Sequence, residues 1–197
     1  LKATRVDVRI AGVIADVTVT QHYRNEGQRP IEARYVFPGS TQAAVHAMNV
    51  RLGDRLLTAR IKEKQQARIE YDNAKKEGKT SALLEQHRPN VFQMNVANIM
   101  PGDDVAVELR YTELLTPTDA LYGFPTVVGP RYNSPQGAAV NEKWIASPFL
   151  KSGEASASAF EIKVTLDAPV ALKEVTSPSH DISVDGAGTR RASVSLI

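Results

Sequence analysis

Few residues in this chain have the type and spacing to do chemistry, and most of those spacings argue for a structural role. Gly78-Lys79-Thr80 has the ending of a phosphate-binding loop, but the glycine required five residues before Gly78 is replaced by Asn73. Such a loop also has to follow a strand and open a helix, because the helix N-terminus and the loop N–H groups hold the phosphate. Here the helix-forming residues come first, so Gly78 reads as a helix stop. His22, His46, His87 and His180 show no H-x-x-x-H spacing and there is no cysteine to join them, so no zinc set is expected. Glu85 and Arg88 flank His87 at close range. A carboxylate near an imidazole suits acid–base work, yet beside Pro89 the same group makes a polar strand end, and that is the reading taken. No G-x-S-x-G nucleophile elbow occurs. Asp103-Asp104 could hold a cation, but they follow Pro101-Gly102 and read as a solvated turn. Asp185 to Thr189 has the aspartate of a D-x-S-x-S cation loop, with Ala187 where the first serine would stand, and it too reads as a β-turn. No catalytic residue, cofactor or metal site is expected.

Composition narrows the classes further. Apolar residues make up 42% of the chain, enough for a real core. The net charge of +2 is small and its charges are mixed, so no electrostatic grip on nucleic acid is expected. The nearest thing to a basic stripe, Arg51, Arg55, Arg60, Lys62 and Lys64, is broken by Glu63 and reads as a solvated face. The absence of cysteine excludes thiol catalysis and a disulfide framework, and it suits export in bacteria, where stray thiols oxidise. There is no N-x-S/T acceptor. The sequence opens on Leu1 and is expected to be a piece of a longer protein, and no apolar run has the length of a membrane span.

Strand signals dominate. Val6, Val8 and Ile10 alternate with Arg5, Asp7 and Arg9, and Val13, Ala15, Val17 and Val19 continue after Ala11-Gly12. Ile31 to Phe37 is an apolar, aromatic strand stopped by Pro38-Gly39. Met48, Val50 and Leu52 lead into Gly53-Asp54 and Leu57, Ala59 and Ile61 lead out, which fits a two-residue type II′ hairpin. Residues 62–77 are rich in helix formers, with Ala67, Tyr71 and Ala74 on one face and Gly78 at the C-terminal stop. Strands resume at Ser81 to Gln86, at Phe92, Met94 and Val96, and at Val105, Val107, Leu109 and Tyr111. Residues 137–158 are rich in Ala, Ser and Gly without a period and read as a loop or linker. Phe160, Ile162, Val164 and Leu166 then alternate again. The fold expected is mainly β: an antiparallel β-sandwich with one α-helix near residues 62–77 and an additional C-terminal β segment.

Several stretches together resemble the VIT module found in vault protein and inter-alpha-trypsin heavy chains. They are Gln21-x-Tyr23-x-Asn25; Ile31-Glu32-Ala33-x-Tyr35-Val36-Phe37-Pro38; Glu63-Lys64-x-x-Ala67-x-x-x-Tyr71-x-x-Ala74; Leu83-Leu84-Glu85-Gln86 with Pro89 and Phe92; and Asn98-Ile99-x-Pro101-Gly102. The stretch from Phe124 to Tyr132 fits as well. Most of these residues have structural readings: the aromatics fill a core, and Glu85 holds backbone N–H groups or an arginine such as Arg34.

The resemblance implies a module of residues 1–134, a linker of 135–158, and a segment of 159–197 that extends the sandwich or begins a second β-domain. It also implies an adjacent von Willebrand A domain as protein partner. Inter-alpha-trypsin heavy-chain-like proteins and exported bacterial sortase targets share this layout, which places the parent at a bacterial cell surface or in the periplasm. The function expected is a non-catalytic scaffold or adhesion module making protein–protein contacts, with Lys75, Lys76, Arg131 and Tyr132 as candidate contact residues. The alternative is a carbohydrate- or small-ligand-binding sandwich, for which Trp144 beside Asn141 and Glu142 is the aromatic candidate.

Overall fold

Two glycines set the first hairpins. The computed structural model describes residues 1–38, 42–58, 64–79, 81–88, 91–118, 121–124 and 158–197, with backbone only over 34–38, 64–68, 81–88 and 91–93. Strand β1 (Ala3–Ala11) turns through Gly12, at φ +57°, into β2 (Ile14–Arg24). Later β4 (Ala43–Leu52) turns through Gly53, at φ +54°, into β5 (Arg55–Thr58). In both loops the positive φ falls on the first residue alone, as a type II′ turn requires.

The remaining strands are β3 (Ile31–Pro38), β6 (Ser81–Arg88), β7 (Val91–Ile99), β8 (Asp104–Leu114), β9 (Ala159–Asp167), β10 (Ile182–Asp185) and β11 (Arg191–Leu196), with helix α1 at Lys64–Lys76. They form an eight-stranded sheet, ordered β10-β11-β9-β1-β2-β8-β4-β5, and a three-stranded sheet, ordered β3-β7-β6. Every pair is antiparallel except β1 with β9, which is parallel. A hairpin cannot supply a parallel neighbour, so this pairing joins segments far apart in sequence.

Strand alternation sorts the large sheet into two faces. On the inner face Val8 lies opposite Val17 and Val164, and Val17 lies opposite Tyr111. On the outer face Arg5 lies opposite Thr20 and Glu161, Asp7 opposite Thr18 and Lys163, and Asp16 opposite Arg9 and Thr112. The inner face feeds two cores. In one, Met48, Val50 and Leu52 of β4 and Val105, Val107 and Leu109 of β8 meet Met94, Val96 and Ile99 of β7 from the small sheet. This contact makes the sandwich. In the other, Val8, Ile10, Ala15, Val17, Val19, Tyr111 and Ile162 cluster with Leu115 and Phe124. Strands β8, β1 and β9 run in one direction, so the chain leaving β8 must cross back to the start of β9, and Leu115 and Phe124 begin that return over the inner face. Burial pushes the Tyr111 hydroxyl up to about 12, with the Glu113 charge adding to it, and burial raises Tyr23 as well.

Two bulges keep apolar residues in phase with the core. The β4–β8 register shifts between Val45 and Ala47, and the β3–β7 register shifts between Ile31 and Ala33. The first lets Val45 and Met48 face the same way despite their odd spacing; the second does so for Val96 and Ile99.

The end of β2 and the turn from β7 to β8 are tied by Asn25, which is 3% exposed. Its amide nitrogen donates to the carbonyls of Arg29 (2.9 Å) and Ile99 (3.0 Å), and its side-chain oxygen accepts from Gly27 N–H (3.0 Å). Its own N–H donates to Asp103 O (3.1 Å) and its carbonyl accepts from Gly102 N–H (2.9 Å). Asn25→Ala removes the three side-chain bonds, leaves the Ile99 carbonyl without this donor, and is expected to cost about 3 kcal/mol. Asn25→Asp, which has no donor when ionised, should cost at least as much. Urea unfolding of the full chain checks both, and a loss below about 1 kcal/mol would contradict this role.

Candidate interaction site

Helix α1 and the strand it covers form the site built on the candidate lysines. The helix ends where Gly78 takes φ +72°. Gly78 N–H donates to Lys75 O (3.1 Å) and Lys79 N–H to Ala74 O (2.9 Å), the bond pair of a Schellman cap. This is the stop that the phosphate-loop look-alike concealed. Tyr71, 5% exposed, packs against buried Ala97 of β7. Strand β7 therefore lies between the large sheet on one side and α1 on the other.

Polar bonds fix the helix at two points. Glu32 on β3 accepts a hydrogen bond from Tyr71 OH at 2.7 Å through one carboxylate oxygen and pairs with Lys75 Nζ through the other. Tyr71 and Lys75 are one turn apart, so one face of α1 presents both to a single carboxylate. At the helix end, Asn98 Nδ2 donates to Lys75 O (3.2 Å) and Lys79 O (2.7 Å). Asn98 stands in the β7 bulge at φ +56°, the one non-glycine residue with positive φ among those described. Asparagine tolerates that conformation better than other side-chain-bearing residues, and the bulge turns its amide toward the helix. Sequence reasoning quoted Asn98 without a role; the signal available was an asparagine at the end of an alternating strand, before Pro101-Gly102.

The four candidate contact residues fall in different places. Lys75 faces the small sheet and is engaged with Glu32. Lys76 is exposed and has no partner among the described residues. Arg131 and Tyr132 lie outside the described residues, as does Trp144. The side chains of Arg34, Glu85 and His87 also lie outside what is described. Opposite the face that holds Tyr71 and Lys75, α1 presents Ile69, Asn73 and Lys76 outward, and Ile69 is 54% exposed. Sequence reasoning did not single out Ile69; its offset from Tyr71 and Ala74 on the helix was the signal for it.

The other look-alikes are accounted for locally. Asp103 accepts from Met100 N–H (2.9 Å) and Asp104 lies 3.7 Å from Arg24, so the two carboxylates work apart. Gly186 and Thr189 form the turn between β10 and β11, with Thr189 Oγ1 donating to Gly186 O (2.9 Å). His180 contacts Ser179 Oγ (2.8 Å) and faces the ring of Phe160 on the surface. Among the described residues no group of three or more His, Asp or Glu is placed to hold a metal ion.

Asn25, Glu32, Tyr71, Asn98 and Gly102 all lie within residues 1–111, which match the model of the Vault protein inter-alpha-trypsin domain. The chain belongs to the VIT family. It is 36% identical over 155 residues to von Willebrand factor A domain-containing protein 5A of Rattus norvegicus, covering 76% of this chain and 19% of that protein. It is 30% identical over 187 residues to Protein mono-ADP-ribosyltransferase PARP4 of Mus musculus, covering 92% of this chain and 9% of that protein. The VIT chain thus spans 19% or less of these relatives. Among solved structures, an M1 zinc metallopeptidase from Deinococcus radiodurans aligns at a TM-score of 0.46 and 11% identity, covering 100% of this chain and 38% of that one; no functional reading follows from it.

The clamp is open to test. Glu32→Gln and Tyr71→Phe should each destabilise the VIT chain by about 1–2 kcal/mol, and their double mutant should cost less than the sum. Additive effects would show that the bond carries no stability. Asn98→Gly should lose the side-chain bonds without backbone strain, whereas Asn98→Ala should be about 1 kcal/mol worse because of its positive φ. Equal melting of the two variants would contradict the backbone account.

Proposed function

We propose that this VIT chain is a non-catalytic interaction module of a larger exported protein, and that its partner is a von Willebrand A domain of the same parent. One observation carries this reading. Among the described residues, the side chains of Asn25, Glu32, Tyr71, Lys75, Asn98 and Asp103 hold backbone and strand to one another. Outward on the braced helix stands a row of an apolar residue, Ile69, the amide Asn73 and a cation, Lys76. A rigid frame presenting an apolar residue with a polar rim has the anatomy of a protein contact. The relatives named for their von Willebrand A domains support the choice of partner. The absence of cysteine supports export, with a bacterial cell surface or periplasm as the destination.

The test is binding between this VIT chain and the A domain of its parent, measured by calorimetry. Ile69→Asp combined with Lys76→Glu should weaken binding at least about ten-fold, as loss of an interface anchor does, with the melting temperature unchanged. Arg131→Ala with Tyr132→Ala tests the second candidate surface in the same assay. No binding by the unsubstituted chain would sink the choice of partner. Binding indifferent to both pairs would sink the choice of surface. Protease digestion of intact cells that leaves the full-length parent untouched would sink the surface assignment, and its absence from a periplasmic extract as well would sink export.

A further inference from the structure

The family match ends at residue 111, within β8. Within that span β1 has one neighbour, β2, and its other side would be a nine-residue edge carrying Val6, Val8 and Ile10. Such an edge is a template for any strand that meets it. In this VIT chain the edge is filled by β9 in nine register pairs, from Ala3 with Ala159 to Ala11 with Asp167. Bonds at both ends close the seam: Ala159 N–H donates to Lys2 O (3.0 Å) and Gly12 N–H to Asp167 O (3.0 Å).

The strand that fills the edge does not come alone. Strands β9, β11 and β10 pair with one another. The chain between β9 and β10 is pinned to the rest of the unit by Ala168 N–H to Arg190 O (2.8 Å) and Leu172 N–H to Thr189 O (2.8 Å). Residues 158–197 are thus a self-paired piece, and among the described residues their strand pairing to the remainder runs through β1 alone.

We propose that the edge of β1 is a strand-docking site whose ligand is the 158–197 unit, and that docking needs no covalent connection through the intervening chain. The site specifies its occupant. It takes a parallel strand with apolar residues opposite Val6, Val8 and Ile10, an acid opposite Arg5 and a base opposite Asp7. Ile162, Val164 and Leu166 meet the first demand; Glu161 and Lys163 meet the second. Arg5 and Glu161 are in contact at 2.9 Å. A slip by one residue would set Ile162 and Val164 on the polar face, so the register is locked by burial and trimmed by charge. A parallel occupant has to arrive from a distance in sequence, and the β1 edge would accept the same unit from a separate polypeptide.

A specific protease site placed within residues 135–150 of the full chain tests this, with circular dichroism confirming the uncut fold. After cutting, the two pieces should travel together in size exclusion, and labelled 158–197 should exchange into the cut protein. Glu161→Arg should lower retention about three-fold, the size of an exposed ion pair, and Arg5→Glu on the same chain should restore it. Ile162→Asp should release the unit after cutting. In the unaltered chain, hydrogen exchange should show β9 and β11 opening together ahead of β2 and β8. Release of 158–197 from the cut wild-type chain would overturn the proposal, as would retention indifferent to Ile162→Asp, or exchange of β9 only with global unfolding.

Discussion

Where the chain leaves the small sheet at the end of β7 and enters the large one at β8, its backbone polar groups leave the ladder of strands. Buried peptide groups must still find partners, and at this corner Asn25 supplies most of them, with the Asp103 carboxylate taking the Met100 N–H. Asn25 bonds the carbonyls of Arg29 and Ile99, the N–H of Gly27 and, through its own backbone, Asp103 and Gly102. Aspartate would bring no donor, serine would be too short to reach both carbonyls, and an aliphatic residue would keep the two backbone bonds but leave the Arg29 and Ile99 carbonyls and the Gly27 N–H without this partner. The relative placement of the two sheets, and so the shape of the core between them, depends on this amide.

Once the corner is fixed, the energetics are dominated by the inner face. Each fully buried valine, such as Val17 or Val50, contributes about 2 kcal/mol, whereas an exposed pair such as Arg5 with Glu161 contributes about 0–1 kcal/mol. The outer-face charges therefore select register rather than hold the sheet together. The Glu32 clamp differs from them. Its carboxylate meets the hydroxyl of a buried tyrosine as well as a lysine, and it joins a helix to an edge strand whose strand pairing is to β7. Together with Asn98 at the helix C-terminus, it holds the C-terminal half of α1 in position and rotation, which makes its outward row a defined surface.

The legible parts of the sequence were the local ones. Gly53 and Gly78 announced a hairpin and a helix stop, and Gly12 a hairpin or a bend, because each conformation is decided within a few residues. The helix was expected over 62–77 and runs from Lys64 to Lys76; the turn at Pro101-Gly102 was equally plain. The parallel pairing of β1 with β9 was not legible, since nothing near either strand encodes a neighbour so far along the chain. The bulges in β4 and β7 were not visible, because a bulge looks like a broken alternation until its partner strand is known. That also hid Asn98, whose conformation is set by the bulge and whose bonds are to another element. Lys75 was singled out as a contact residue from its charge and helical position alone. Its engagement with Glu32 depends on a strand 43 positions away.

The difference between Lys75 and Lys76 shows how such a module separates holding from contacting. The two side chains are adjacent in sequence and alike in chemistry, yet α1 directs them to opposite duties, one toward a carboxylate on β3 and one into solvent. The separation follows from the 100° step between neighbours on a helix, provided the helix cannot roll. Rolling by one residue would exchange the two lysines and would pull Tyr71 off Ala97. The Tyr71–Glu32 bond and the Asn98 bonds oppose that motion at two successive points along the C-terminal half of the helix. An outward surface defined in this way keeps its geometry without help from a partner, so little ordering cost remains to be met on binding.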